Sequence, residues 1–194
     1  MHAIGRLNEL NYWTARDYSL TNDANRQAII AFQKLSGLPR TGKLTDSTMA
    51  RISRAATPIA RDSMHSHHIE IDLNHQVLLV IDSNDHVARI LSVSTGNGQL
   101  FDYPGIGPRY ARTPRGNFKV FYKITGWRKS PLGLMFDPMY ITGGIAVHGS
   151  KSVPAKPASH GCIRIPMFAA DELFAATPIG TPAIVFGENP KPAN

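Results

Sequence analysis

The stretch Ala158-Ser159-His160-Gly161-Cys162-Ile163-Arg164-Ile165 contains the only cysteine of the 194-residue chain. Its last residues alternate as in a β-strand, so the thiol stands where a predicted loop enters a predicted strand. A single cysteine cannot form an internal disulfide. Many single cysteines are simply small buried hydrophobes. A thiol beside a histidine-glycine pair is also a candidate nucleophile, because a histidine can take the thiol proton.

Two histidines compete for the role of base. His160 stands two residues before the thiol, and His148 ends the apolar stretch Gly143-Gly144-Ile145-Ala146-Val147-His148-Gly149. Both could approach one sulfur atom after folding, so the residues alone leave their order open.

The chain from His68 onward predicts a β-rich domain. Short alternating or apolar stretches bounded by turns predict strands at 69–73, 76–82, 87–93, 118–124 and 182–186. One helix is predicted over 167–176, and the tail 189–194 is predicted to be disordered. The Gly- and Pro-rich stretch 97–112 predicts either a lid over the site or a plain surface loop. Many short strands and little helix indicate a β-sandwich or a barrel-like fold.

The stretches around His148 and Cys162 together resemble the signature of the L,D-transpeptidases, the YkuD-like catalytic domain. The resemblance covers about residues 66 to 187. Further segments that resemble this family are Ile69-Glu70-Ile71-Asp72-Leu73, Gln76-Val77-Leu78-Leu79-Val80, Ser94-Thr95-Gly96, Thr113-Pro114-Arg115-Gly116-Asn117-Phe118 and Met139-Tyr140.

The resemblance implies roles for the residues of the two stretches. Cys162 is implied to be the nucleophile and His148 the general base, with the backbone carbonyl at Gly149 orienting the His148 ring. His160 is then a structural and polar-network residue. Gly161 would allow a tight turn, and the backbone N–H groups of residues 160–162 would stabilise the oxyanion.

A second group of residues is expected to face the substrate. Arg164 would share a strand face with Cys162 and could hold a substrate carboxylate, although a structural ion pair is an equal alternative. We expect the remaining cleft residues to be Tyr140, Gly143, Gly144 and Ser159.

The implied activity is a cysteine-dependent L,D-transpeptidase of peptidoglycan biosynthesis. The thiolate would form a thioester with a tetrapeptide stem, release D-alanine and pass the acyl group to an amine acceptor, giving a 3→3 cross-link. No cofactor is implied, and carbapenem β-lactams are implied to acylate Cys162. Two alternatives stay open: an L,D-carboxypeptidase that uses water as acceptor, and a non-catalytic cell-wall-binding protein.

Residues 1–57 predict a separate helical module. Ile4, Leu7 and Leu10 share one helix face. Thr21 or Asn22 would cap a second helix, with Ala28, Ile29, Phe32 and Leu35 on its inner face. Thr45 would cap a third helix, with Met49 and Ile52 on one side. The run 26–42 resembles a three-helix peptidoglycan-binding module, but 13–22 lacks the usual Gly- and Asp-rich loop. Two interpretations of the module therefore stay open: a cell-wall-binding module, or a helical spacer that only packs on the catalytic part. We expect a linker at 58–67, the catalytic domain at 68–188 and a tail at 189–194.

The composition limits the kinds of binding partner and the cellular compartment that suit this chain. A formal charge of +7 and a pI of about 9.8 suggest polyanionic surroundings such as the cell wall. The basic residues are scattered and no nucleic-acid motif is visible, which argues against nucleic acid. No apolar run approaches the roughly 18 residues of a membrane span. No signal peptide is seen, and we expect a targeting segment for the cell envelope to be missing from the sequence.

The histidines before the first predicted strand raise the question of a metal site. His65, His67 and His68 stand close together. A zinc site needs further ligands at suitable spacing, and none accompany them. A solvated loop is the favoured interpretation.

Overall fold

The computed structural model describes residues 3–15, 17 and 19–192. In chain order its elements are α1 Ala3–Glu9, α2 Asp23–Leu35, α3 Asp46–Arg54, β1 His68–Asp72, β2 Val77–Ile81, β3 Val87–Ser92, β4 Leu100–Tyr103, β5 Gly107–Tyr110, β6 Gly116–Lys119, β7 Tyr122–Lys123, β8 Trp127–Ser130, β9 Gly133–Thr142, β10 Ile145–Ser150, β11 Ile163–Pro166, a 3-10 turn Met167–Ala169, α4 Ala170–Ala176 and β12 Pro182–Phe186.

Two sheets face each other across one core. The first has the strand order β3-β2-β1-β12-β6, and the second has the order β11-β10-β9-β7 with β8 also paired to β9. Leu78 and Val80 of the first sheet and Val147 and Ile163 of the second belong to the same buried cluster. The predicted mainly β sandwich is therefore confirmed. β4 and β5 form a separate hairpin.

The N-terminal helices cover the outer face of the first sheet. Alternate residues of β2, namely Val77, Leu79 and Ile81, join a second buried cluster with Ile29 and Ile52 of the helices. The strand β2 is thus buried on both faces, so its run of apolar residues needs no polar alternation. After α1 the chain also pairs with the edge of β3, where the Trp13 N–H donates to the carbonyl of Ile90.

The helix boundaries follow their caps. Asn22 accepts the N–H of Ala24, and Thr45 accepts the N–H of Thr48, as expected of N-cap side chains. In the third helix Ile52 is buried, whereas Met49 is 42% exposed. The buried residues of α3 are Thr48 and Ile52.

Three β-region predictions also need correction. The alternating stretch 118–124 is not one strand: β6 pairs with β12 in the first sheet, whereas β7 pairs with β9 in the second. The stretch 97–112 folds back as the β4–β5 hairpin. In the tail, Asn189 is held by reciprocal hydrogen bonds with the Thr113 backbone; Ala193 and Asn194 lie outside the described residues.

The segment between the helices and the first sheet is irregular but anchored. The buried Glu70 carboxylate accepts the backbone N–H groups of Arg61 and Asp62. Of the nearby histidines, His68 is buried in β1 and His65 pairs with Asp85. Within the described residues, no group of three or more His, Cys, Asp and Glu side chains could hold a metal ion. The same residues include no helix that is both long and apolar enough to cross a membrane.

Candidate active site

The parallel pairing of β10 and β11 brings the predicted nucleophile and bases together. Val147 pairs with Ile163, and His148 pairs with Arg164. Since Val147 and Ile163 point into the core, the residues that alternate with them lie on the opposite face of the sheet. Cys162 and Arg164 therefore share that face with His148, and Cys162 stands where its strand begins.

The His148 ring is buried and oriented by the backbone. Its Nδ1 lies 2.9 Å from the carbonyl oxygen of Gly149, and the residue is 4% exposed. A carbonyl can only accept, so the hydrogen-bond pattern assigns the ring proton to Nδ1 and leaves Nε2 free to accept a proton. Burial lowers the pKa of His148 to about 4, against the smaller opposing effect of the Gly149 hydrogen bond. The imidazole is neutral at pH 7.

The thiol of Cys162 lies at the turn between β9 and β10. Its Sγ is 3.7 Å from the carbonyl oxygen of Gly144. Burial raises the pKa of the thiol, while the backbone of Ala146 and the charge of Arg164 lower it. Both shifts favour the uncharged forms at pH 7, a thiol at Cys162 and a neutral imidazole at His148.

Arg164 is the charged centre of the site. Its positive charge lowers the pKa of Cys162, His148 and His160 alike, after the larger effect of burial on the two histidines. Its backbone is fixed by reciprocal hydrogen bonds with Ser94. Among the described residues no carboxylate forms an ion pair with Arg164, so the alternative of a structural ion pair has no support there.

His160 lies in a different environment from His148. Its side chain is exposed, and its ring centroid is 4.7 Å from that of Phe101 in the β4–β5 hairpin. Burial and Arg164 lower its pKa. The predicted lid region 97–112 thus contacts the site through an aromatic pair, and His160 serves as its contact point.

The hydroxyl of Ser159 organises the loop before the thiol. It donates to the carbonyl of Cys162 at 2.6 Å and accepts the N–H of Gly161 at 3.0 Å. Ser159 is 2% exposed, so the expectation that it contacts substrate is corrected: its side chain is engaged inside the loop. The Gly161 N–H is engaged too, which leaves the backbone N–H groups of His160 and Cys162 as candidates for the oxyanion.

Gly161 is required by backbone geometry. Its φ is +141°, and a Cβ added there would lie 2.9 Å from the carbonyl oxygen of Arg112. Its own carbonyl accepts the hydroxyl of Thr113 at 2.7 Å, and that hydroxyl also accepts the N–H of Gly96. Thr113 is thus a further residue of the site, and its place in the Thr-Pro-x-Gly segment is the sequence signal that indicates it.

An aromatic row approaches the thiol across the second sheet. Tyr140 pairs with Ala146 on one side and with Tyr122 on the other, and the two tyrosine rings stack at 5.8 Å. The register that pairs Val147 with Ile163 sets Ala146 beside Cys162. Tyr140 is therefore on the same face of the sheet as Cys162. Gly143 and Gly144 form the adjoining turn, where added Cβ atoms would meet open space.

Comparison with known protein families decides the class of this site. The family model of the L,D-transpeptidase catalytic domain, YkuD, matches residues 66–185. The chain belongs to the L,D-transpeptidase family. The match begins two residues before β1 and ends within β12, so it spans both sheets and every site residue described above.

Solved structures support the assignment. The L,D-transpeptidase of Xylanimonas cellulosilytica (its residues 123–326) is 39% identical, with a TM-score of 0.86 over 94% of this chain and 90% of that one. An L,D-transpeptidase of Stackebrandtia nassauensis is 22% identical with a TM-score of 0.58, over 97% of this chain and 91% of that one; this second likeness shows the fold alone. A search of curated proteins found no match. Both structural matches extend over the N-terminal helices as well as the L,D-transpeptidase domain.

Proposed function

We propose that this L,D-transpeptidase works by nucleophilic catalysis at Cys162 with His148 as general base. The observation that carries the proposal is the hydrogen bond from His148 Nδ1 to the Gly149 carbonyl, on the strand paired with the start of the cysteine strand. It fixes the tautomer that presents Nε2 as a proton acceptor on the thiol's face of the sheet.

The proposed reaction has two acyl-transfer steps. The thiol proton passes to Nε2 of His148 as Sγ attacks the carbonyl carbon of an L-configured residue, forming the C–S bond. The peptide C–N bond then breaks, and the imidazolium gives its proton to the leaving D-alanine amine. An acceptor amine attacks the thioester, forming a C–N bond as the C–S bond breaks. The amine loses one proton, and the sulfur regains one through His148.

Three groups assist this chemistry in the proposal. The N–H groups of His160 and Cys162 stabilise the oxyanion, since such donors typically contribute about 3 kcal/mol each. The Arg164 guanidinium, which has no carboxylate partner among the described residues, holds a substrate carboxylate. Tyr140, Gly143 and Gly144 form the wall and rim along which the stem peptide approaches.

The proposed substrate is peptidoglycan outside the cytoplasm. A tetrapeptide stem, with meso-diaminopimelate as the attacked residue, is the donor, and the side-chain amine of a second stem is the acceptor. The positive charge of +7 suits an anionic wall polymer. The same thiol would be acylated by carbapenems. None of these steps calls for a cofactor.

Intact-protein mass spectrometry with a tetrapeptide stem tests the proposal. We expect an adduct equal to the stem minus D-alanine, and its absence in Cys162→Ala. A Cys162→Ala protein that still forms cross-links would overturn the assignment of the nucleophile. Product analysis with and without an added amine then separates transfer from hydrolysis, because a carboxypeptidase gives the same product in both. An unreactive thiol would favour a non-catalytic wall-binding protein.

A polar cleft supports wall binding by the N-terminal helices as a second proposal. The cleft has a volume of about 240 Å³ and lies between α2 and the loop after β10. Arg26 and Lys151 line it together with Gln27. The Gln27 Oε1 is buried with no hydrogen-bond partner among the described residues. Asp23 also lines the cleft, and the two cations beside it can pair with stem carboxylates.

Charge reversal in the full chain tests this second proposal. The helices share a core with β2, so deleting residues 1–57 would damage the catalytic domain. Pull-down on purified wall polymer should weaken about fivefold to tenfold in Arg26→Glu with Lys151→Glu. The exposed Lys43 and Arg51, which are outside the cleft, supply the matched control Lys43→Glu with Arg51→Glu, which changes the net charge by the same amount. Equal loss in both proteins would show bulk charge alone, and the helices would then be a spacer.

A further inference from the structure

A buried lysine on α2 interrupts the apolar contact between the helices and the first sheet. Lys34 is 1% exposed. Its Nζ donates to the carbonyls of Gln76 and Val93 and to the hydroxyl of Ser92, at 2.8–2.9 Å. Three acceptors match the three N–H donors of an ammonium group. Among the described residues no carboxylate forms an ion pair with Lys34.

Burying a lysine side chain at this position costs folding free energy. Burial, with a smaller effect of the Arg40 charge, lowers the pKa of Lys34 to about 7. An apolar side chain would avoid this cost and would suit the cluster around it. The acceptors, however, belong to the two segments that lead out of the sheet, the turn before β2 and the end of β3. The lysine therefore fixes the positions of those segments relative to each other.

The next contact runs from Gln76 to Thr95. The Gln76 side chain donates to the Thr95 hydroxyl at 2.7 Å and accepts the Thr95 N–H at 2.9 Å. Both residues are buried, and Gln76 has a φ of +59°. A non-glycine residue in this left-handed region costs free energy and persists where its surroundings hold it. The side-chain amide of Gln76 therefore binds both the hydroxyl and the backbone N–H of Thr95, and these two hydrogen bonds restrict the position of Thr95.

Thr95 then holds the loop that carries the thiol. Its carbonyl accepts the N–H groups of both Ala158 and Ser159. Ser159 in turn donates to the carbonyl of Cys162 and accepts the N–H of Gly161. A series of hydrogen bonds of 2.6–2.9 Å therefore connects Lys34 to the backbone carbonyl of Cys162, and only the last of them, between Ser159 and Cys162, is part-buried rather than buried.

We propose that Lys34 is a positioning residue for the Cys162 nucleophile, acting from the N-terminal helical layer through Gln76, Thr95 and Ser159. The helices are then part of the catalytic apparatus, whatever they bind. The inference rests on the proposed role of Cys162, and a continuous network shows coupling only when energetic coupling is measured.

The test compares Lys34→Met with Ile29→Ala in the full chain. Both substitutions weaken the helical layer, but Ile29 belongs to its apolar cluster and has no part in the network. Each protein is assayed well below its melting temperature for D-alanine release from a tetrapeptide. We expect kcat of Lys34→Met to fall by about tenfold to a hundredfold with KM nearly unchanged, because small displacements of reacting groups have effects of that size. Ile29→Ala should keep kcat within about twofold.

Coupling is tested at Thr95. Thr95→Val should lower kcat like Lys34→Met, whereas Thr95→Ser, which keeps the hydroxyl, should restore most of it. The double variant Lys34→Met with Thr95→Val should be little worse than the worse single variant, because both act through one chain of contacts. Unchanged kcat in folded Lys34→Met, or effects that multiply in the double variant, would overturn the proposal. If Lys34→Met does not fold, the Thr95→Val and Thr95→Ser pair decides.

Alkylation separates this proposal from the proposed activity. Alkylation of Cys162 by iodoacetamide requires no peptide substrate. Its rate depends on the fraction of Cys162 that is thiolate and on the accessibility of the sulfur atom. We expect about a threefold or larger change at pH 7 in Lys34→Met and Thr95→Val, but none in Ile29→Ala. If the protein without substitutions releases no D-alanine, the proposed activity is wrong. The alkylation rates of the variants still test whether Lys34 positions Cys162. Equal alkylation in all folded proteins would count against the positioning role.

Discussion

The Nδ1 atom of His148 lies 2.9 Å from the carbonyl oxygen of Gly149, the residue that follows it. A histidine is seldom oriented by its own neighbour in a straight strand, because successive side chains alternate across the sheet. Here the pairing of β10 with β9 shifts register between Val147 and Gly149, and this irregularity accompanies the contact. Gly149 leaves no space for a Cβ, which would lie 2.8 Å from Ala170.

This relationship predicts unequal roles for the two histidines. His148→Gln should lower the rate of Cys162 acylation by about a hundredfold to ten-thousandfold, the usual contribution of a general base. His160→Gln should lower it by less than about tenfold, because that side chain is exposed and contacts Phe101. Intact-protein mass against time measures both rates. A larger loss in His160→Gln would reverse the assignment of the base.

A second prediction concerns stability in acid. Burial lowers the pKa of His148 to about 4 from its ordinary value of 6.5. Between these values the unfolded chain binds a proton that the folded protein does not, so stability falls as the pH is lowered from 6.5 to 4. The contribution of this residue to the loss is about 3 kcal/mol. Denaturant unfolding at pH 7 and pH 4 measures it.

The matched variant for this measurement is His148→Gln, which has no titrating group at that position. Its unfolding free energy should fall less over the same pH interval, by about the 3 kcal/mol assigned to the imidazole. All other titrating groups act equally in both proteins. Identical pH dependence in the two proteins would mean that His148 is not buried in its neutral form.

A third prediction follows from the charge of Arg164. This charge lowers the pKa of the Cys162 thiol, in opposition to burial. Arg164→Gln should therefore move the midpoint of the thiol alkylation profile to higher pH, with a slower rate at pH 7. A distant surface variant, Arg128→Gln, controls for net charge. If both variants leave the midpoint unchanged, the guanidinium does not act on the thiol.

The local part of this site is predictable from the sequence. Cys162 and His148 stand in short stretches whose residue types specify the chemistry. The caps at Asn22 and Thr45 were predictable for the same reason, since a cap depends on the next few residues only. Family membership, which rests on these stretches, is confirmed by the family model.

The rest of the site depends on contacts between distant segments. Lys34 looks like an exposed helix residue until β2 and β3 are placed under it, and Gln76 and Thr95 meet only because the two turns adjoin. Ser159 was expected to face substrate, because sequence does not show which hydroxyls a loop uses internally. Likewise, alternation over 118–124 predicts strand but not that the chain changes sheets at Val120.

The last prediction separates two reasons for a glycine at position 161: the lack of space for a Cβ atom and the positive φ of the backbone. Gly161 and Gly133 have similar φ values, +141° and +130°, but a Cβ at Gly161 would lie 2.9 Å from both the Arg112 oxygen and Ile145 Cδ1, whereas Gly133 has nothing within 4 Å. Gly133→Ala should cost about 1 kcal/mol from backbone strain alone. Gly161→Ala should cost about 3 kcal/mol, because overpacking adds to the strain.

Activity should separate the two variants further. Relief of the clash at Gly161 must move either the Arg112 carbonyl or the residue next to Cys162, so Gly161→Ala should also acylate at least about tenfold more slowly. Gly133→Ala, at the β8–β9 turn, should acylate at the normal rate. Denaturant unfolding and mass spectrometry on the same samples measure both effects. Equal stability losses in the two variants would mean that the loop before Cys162 accommodates the methyl group and that Gly161 is needed for its φ alone.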